Sequence, residues 1–218
     1  DRFQAITGEL KRQSQRRALA LSDNEIAILY VGRLNYVAKA NPLALFIAAE
    51  ETAKRSSRPV RLLLNGYFND AENEEAFLEA ANSILDVANF QIVRHGDENF
   101  PDGVWAAADI FCSLSDNIQE SFGLTPVEAM AAGLPSIVSD WNGYRESVRN
   151  GVDGYTIPTL MPPPGTGADI AYRYFTRQNT YGDYLGAQSQ STSVDVAALG
   201  QALYQLVNDD CTRRGMAE

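Results

Sequence analysis

Short apolar runs alternate along this chain with longer stretches of helical character. "EIAILYVG", "PVRLLLNG", "NFQIVRHG", "DIFCSLS" and "LPSIVSD" are runs of β-prone residues bounded by Gly, Pro, Asn or Asp. Between them lie "NPLALFIAAEETAKR", "DAENEEAFLEAANSILD", "GVWAAA" and "TPVEAMAAG", each with helical character. Asn41 with Pro42 behind it reads as a cap and first helical position, and the acids opening the second segment suit a helix N-terminus. "GYRESVRNG" adds a helical turn or two, and "GYTIP" reads as a final short strand. The strands are continuously apolar rather than alternating, which is the pattern of a sheet covered on both faces. The rhythm therefore predicts an α/β fold: a doubly wound, mostly parallel sheet with helices on both faces.

In such sheets ligands bind beyond the carboxyl ends of the strands, at the point where strand order reverses. Functional weight thus falls on Gly32-Arg33, Asn65-Gly66, Arg94-His95-Gly96, residues 115–122 and residues 139–144. Residues 158–192, rich in Pro, Gly and Tyr, break the rhythm. They read as an insertion with one helix near "ADIAYRYF", and Tyr172, Tyr174, Phe175, Tyr181 and Tyr184 make it either a partner or lid surface or a loop packed on its own aromatics. "SVDVAALGQALYQLVND" follows as a capped helix led by Ser193 and Asp195.

The 218 residues are enough for a sizeable core, and the whole chain reads as one domain carrying that insertion. A net charge of -10 argues against a nucleic-acid partner. The basic cluster "KRQSQRR" reads as the solvated face of a helix, with a membrane surface as the other candidate for it. No apolar run reaches membrane-spanning length, and the polar opening residues do not form a signal peptide. The two cysteines, Cys112 and Cys211, read as reduced thiols, so a cytoplasmic setting is expected. One histidine and no ligand-spaced cluster give no reason to expect a metal or a cofactor.

The stretch "QESFGLTPVEAM" carries the most chemistry. Thr125, Pro126 and Glu128 match a capping box with Thr125 as N-cap, which by itself would account for Glu128. Glu120 lies in the loop before the helix, where capping does not explain it. The free N–H groups near Gly123 to Thr125 would form an anion site at the sheet's carboxyl end. Arg33 and Lys39, in the loop after the first strand, could supply the cations that a phosphate requires. Glu120 and Glu128 could alternatively serve a glycosidase as paired carboxylates, but this would leave Arg33 and Lys39 without a role.

"YVGRLNYVAKANP" together with "ESFGLTPVEAMAAGLPSIVSDWNGYRESVRNGVDGY" resembles the donor-binding C-terminal half of retaining GT-B glycosyltransferases, closest to glycosyltransferase family 4. The Glu-x7-Glu spacing from Glu120 to Glu128 is that family's signature. The resemblance implies a Rossmann-like domain that binds a nucleotide-diphosphate sugar for transfer to a sugar, lipid or protein acceptor with retention. It implies catalytic roles for Glu120 on the sugar hydroxyls and for Arg33 and Lys39 on the diphosphate. It implies binding roles for Gly32, Arg94, His95, Phe122, Gly123, Leu124, Thr125 and Glu128, the last on the ribose. The start "DRF" is similar to the end of the segment joining the two halves, and the chain is expected to be a fragment lacking the acceptor-binding half. A binding module without transferase activity is the alternative. Gly66 is followed by "YFNDAEN" rather than by a second glycine, and residues 158–192 lie outside the family's pattern.

Overall fold

The computed structural model describes residues 8–36, 39–94, 103–118 and 120–218. His95 and Gly96, and the opening "DRF", lie outside them.

Six strands form one parallel sheet: β1 (Ile26–Arg33), β2 (Val60–Tyr67), β3 (Asn89–Arg94), β4 (Ile110–Ser113), β5 (Ser136–Ser139) and β6 (Gly154–Ile157). Their order is β3-β2-β1-β4-β5-β6, so the chain reverses direction across the sheet between β1 and β4. That is the switch point of a doubly wound fold, as the βα rhythm predicts. The helices are α1 (Glu9–Ala18), α2 (Pro42–Arg55), α3 (Ala71–Ile84), α4 (Val104–Ala107), α5 (Leu124–Ala131) and α6 (Tyr144–Ser147). They continue with α7 (Ala168–Phe175), α8 (Tyr181–Gln190), α9 (Val196–Asn208) and α10 (Asp210–Gly215).

The strand sequences explain the layers. Ile26, Ile28 and Tyr30 of β1 face one side with Leu62 and Leu64 of β2, against Phe46 of α2, Phe77 of α3 and Leu203 of α9. Ala27, Leu29 and Leu63 face the other side, against Trp105 of α4, Ala129 of α5 and Tyr144 of α6. Alternate side chains of one strand thus enter two cores, and both must be apolar. Gly66 stands beside Gly32 where β1 and β2 run side by side, and a Cβ on Gly66 would collide with the Gly32 carbonyl.

Three expectations need correction. The basic cluster on α1 is a solvated face only in part: Arg17 is exposed, while Arg12 and Arg16 turn inward. Arg16 is buried, and its guanidinium donates to the carbonyls of Ala107, Ser22 and Glu25 and pairs with Asp109 at 3.0 Å. Arg12 pairs with Asp109 as well, at 2.5 Å, and donates to the carbonyls of Ala106 and Ala108. Orphan carbonyls at the end of α4 and a carboxylate beside them attract both cations inward. The insertion holds two helices, α7 and α8, rather than one. It is closed at its base by an antiparallel pair, β7 (Thr159–Leu160) with β8 (Ser193–Val194), so β6 is not the final strand and Ser193 precedes the helix in a strand. Asp195 alone caps α9, accepting from the Ala198 N–H at 2.9 Å.

The third correction concerns α5. It begins at Leu124 with Gly123 as N-cap, and no side chain caps it. Thr125 and Pro126 lie inside its first turn, so the capping box does not form. Gly123 adopts φ +80°, which turns the chain into the helix earlier than a Thr125 cap would. Its α-carbon packs on the Tyr144 ring, a long-range constraint that the local motif does not contain.

Candidate functional site

The loops leaving β1 and β4 meet at the switch point. Tyr30, near the end of β1, donates its hydroxyl back to the Arg33 carbonyl at 3.0 Å. The backbone of Gly32 runs against the Tyr30 hydroxyl and the Lys39 stem. Lys39 is thereby brought across to β4's loop, where its ammonium makes an ion pair with the Glu120 carboxylate. Two predicted residues far apart in sequence are in direct contact.

Glu120 is held from three sides. Its Oε2 accepts the Tyr144 hydroxyl at 3.2 Å as well as Lys39. Its carbonyl accepts from Asn142 Nδ2 at 2.8 Å. With its proton directed at Glu120, the Tyr144 hydroxyl receives one in turn from Ser113 at 2.9 Å. Burial, and then the neighbouring Glu120 charge, push the Tyr144 phenol above its ordinary pKa, so it remains a neutral donor. Burial does the same to Tyr30, helped by Tyr144 and Asp116.

The floor beneath Glu120 is a buried polar network. Ser139 donates to the Ser115 carbonyl at 2.6 Å, and Trp141 Nε1 donates to the Asn117 carbonyl at 3.0 Å. Asp116 accepts from the Asn41 backbone N–H at 3.1 Å, and Asn117 donates to the Lys39 carbonyl at 3.2 Å. Asn41 itself caps α2, as expected, accepting from the Leu43 N–H at 3.0 Å.

An open cleft of about 700 Å³ lies over this floor, lined by Glu120, Ser121, Trp141, Asn142, Arg145 and Met161 among others. Phe122 and Leu124 are exposed at the start of α5. Glu128 is half-buried one turn further on, and its carboxylate has no hydrogen-bond or ion-pair partner among the described residues. Arg33 lines a narrower crevice with Tyr30, Asn41 and Leu114. Arg94, at the end of β3, pairs with Glu74 of α3 at 2.5 Å and lies over the Phe68 ring.

Tyr144, Asn142, Asp116 and Asn117 were not singled out by sequence reasoning, although they lie within or beside the loops that the strand-end rule marked. The only local signal for them is that position. A tyrosine 24 residues from the carboxylate it serves has no sequence signature. Both cysteines are free, as expected; Cys112 is buried, which pushes its thiol pKa up, and Cys211 is exposed. Among the described residues no group of three or more His, Cys, Asp or Glu could hold a metal ion, and no helix is long and apolar enough to cross a membrane.

The Rossmann-like sheet, with its strand order reversing between β1 and β4, is that of the C-terminal domain of the GT-B architecture. The chain belongs to the glycosyl transferases group 1 family, which matches residues 11–160. A D-inositol 3-phosphate glycosyltransferase of Rhodococcus erythropolis is 32% identical over 149 residues, covering 67% of this chain and 33% of the relative. A phosphatidyl-myo-inositol mannosyltransferase of Mycobacterium leprae is 29% identical over 132 residues, covering 60% of this chain and 33% of the relative. The chain spans about a third of the length of the curated relatives it matches. Among solved structures, WaaG, a glycosyltransferase involved in lipopolysaccharide biosynthesis, superposes with a TM-score of 0.66 at 16% identity, over 96% of this chain and 45% of that one. Anabaena Alr3699/HepE in complex with UDP-glucose gives 0.55 at 22% identity, over 91% of this chain and 53% of that one. The insertion's helices lie beyond the residues that the family matches.

Proposed function

We propose that this chain is the part of a glycosyltransferase that binds a nucleotide-diphosphate sugar, and that the whole protein transfers the sugar to an acceptor with retention of configuration. The observation that carries this is the Lys39–Glu120 pair at the β1/β4 switch point, held by Tyr144. It places a mobile cation and a fixed hydrogen-bond acceptor in one spot, which is what a sugar diphosphate presents partners for. HepE, of the same fold, has been solved with UDP-glucose.

On this basis Arg33 and Lys39 bind the diphosphate, and Glu120 accepts hydrogen bonds from the sugar hydroxyls once Lys39 turns to phosphate. The N–H groups of Phe122, Gly123, Leu124 and Thr125 face phosphate or sugar, supported by the absence of a capping side chain on α5. Glu128, whose carboxylate has no partner among the described residues, accepts from the ribose hydroxyls. Gly32 gives the diphosphate close access, and Arg94, at the end of β3, lies along the base. In transfer, the bond from the anomeric carbon to the diphosphate oxygen breaks and one to the acceptor oxygen forms. The acceptor's proton leaves with the diphosphate, whose developing charge Arg33 and Lys39 stabilise without a metal ion or other cofactor.

Calorimetric titration of the protein with UDP, GDP and ADP tests the assignment. One diphosphate binds, and Arg33→Ala weakens it by about 1.5–3 kcal/mol, the loss of a charge-assisted contact. Glu120→Ala leaves that affinity nearly unchanged while abolishing transfer, and NMR of the product reports its anomeric configuration. Equal nucleotide affinity in wild type and Arg33→Ala removes the diphosphate assignment.

A further inference from the structure

Besides Met161 at the rim of the cleft, the insertion reaches the buried floor of the candidate site through Ser189. Ser189, on α8, is buried and donates its hydroxyl to Asp116 Oδ2 at 2.8 Å. Leu185, Gly186 and Ser189 form the buried stripe of α8, at a spacing that puts them on one face. By contrast α7 buries none of its residues. The rest of the insertion is an aromatic cluster in which the rings of Tyr174 and Tyr184 stack at 5.3 Å, with Phe175 fully outside it and exposed.

Asp116 Oδ2 is shared. The same oxygen accepts the backbone N–H of Asn41 at 3.1 Å, while Oδ1 accepts from Asn117 Nδ2 at 3.2 Å. Asn117 in turn holds the Lys39 carbonyl. The segment carrying Lys39 is thus fastened at Lys39 and at Asn41 by two neighbouring residues of the β4 loop. One of these, Asp116, is itself oriented by α8. Asp116 is buried, so losing one of its donors is not made up by water.

We infer that Ser189 of the insertion is a positioning residue for the proposed donor site, orienting Asp116 so that the β1–α2 loop presents Lys39 to the diphosphate. This rests on the donor reading above and extends it to a part of the chain that the family does not match. The insertion is then a component of the site, not a surface decoration, and its contribution passes through Lys39.

Two measurements on Ser189→Ala decide it. The first is amide hydrogen exchange without nucleotide. Exchange at Asn41 and Leu43 speeds up while that in β1 and β4 stays as in wild type; equal acceleration everywhere, or none at Asn41, overturns the positioning role. The second is a double-mutant cycle read by titration with the nucleoside diphosphate that the wild type binds. Ser189→Ala raises its Kd roughly 3–10-fold, as loss of a donor to a carboxylate would. On the Lys39→Ala background the same change has almost no further effect, because the coupling runs through Lys39. Equal fold-changes on both backgrounds overturn the inference, since a general loss of structure would not depend on Lys39. Phe175→Ser, on the same insertion but away from Asp116, leaves the Kd unchanged. Failure of the wild type to bind any of UDP, GDP or ADP overturns the donor reading and with it the route to the diphosphate. Normal binding with an unaltered Asn41 amide overturns this inference alone.

Discussion

At the scale of single residues, the candidate site is a small number of polar atoms placed with little freedom. Glu120 has its carboxylate and its carbonyl both engaged, and the Tyr144 ring that holds the carboxylate also sits against the α-carbon of Gly123. One ring therefore sets both the acid and the turn that opens α5. Gly123→Ala would place a Cβ into that ring at a φ of +80°. A destabilisation of about 2 kcal/mol or more is expected, from left-handed strain together with overpacking. Thermal denaturation checks this, and an unchanged melting temperature would show that the Tyr144 contact is dispensable. Glu120 was legible as a candidate because capping does not explain an acid in the loop before the helix, whereas Arg33 and Lys39, which alone read as solvated loop cations, gained weight only from the family resemblance. Tyr144 was marked only by its place at the end of the 139–144 segment, because nothing in the polar turn Tyr144–Ser147 signals that its ring enters the core.

At the scale of elements, the strands and most helices follow from apolar run length, caps and breakers. Asn41 caps α2, Asp70 caps α3 by accepting from Asn73 at 2.8 Å, and Gly133 follows α5 with φ +73°, all as local rules lead one to expect. Where the elements depart from those rules, a distant partner is responsible: Asp109 draws in α1, and Tyr144 resets the start of α5. Glu50 on α2 shows the same long reach. It is buried and accepts the backbone N–H groups of Asp86, Val87 and Ala88, which tie the entry to β3 onto α2. Burial pushes its carboxyl up, but those N–H groups with Lys54 outweigh burial and hold its pKa below the ordinary glutamate value. A carboxylate with a depressed folded-state pKa contributes stability above its unfolded pKa and loses it as pH falls through the folded one. Glu50→Gln is therefore expected to cost about 1–2 kcal/mol at neutral pH. The gap to wild type should narrow below the ordinary glutamate pKa. Urea denaturation across pH tests the sign; a gap that widens on acidification would reverse it.

At the scale of the whole molecule, stability is concentrated in the two cores that sandwich β1, β2, β4 and β5, whereas α7 has no buried residue. Native-state hydrogen exchange should accordingly be slowest in β1, β2 and β4 and fast throughout α7. Protection of α7 comparable with that of β1 would show that the insertion is docked more firmly than its exposure indicates. The alternation of apolar runs determined by itself that the sheet is parallel and covered on both faces, since continuous burial needs apolar residues at every position of a strand. Breakers and caps determined most element ends, because those are contests between neighbours in sequence. Only the tertiary structure decided that Lys39 meets Glu120, that Tyr144 holds Glu120, that α1 turns Arg12 and Arg16 inward to Asp109, and that α8 touches the floor of the site through Ser189. Each is a contact between residues on different elements, whose geometry depends on how strands are ordered and helices packed, and no local pattern of residue types encodes it.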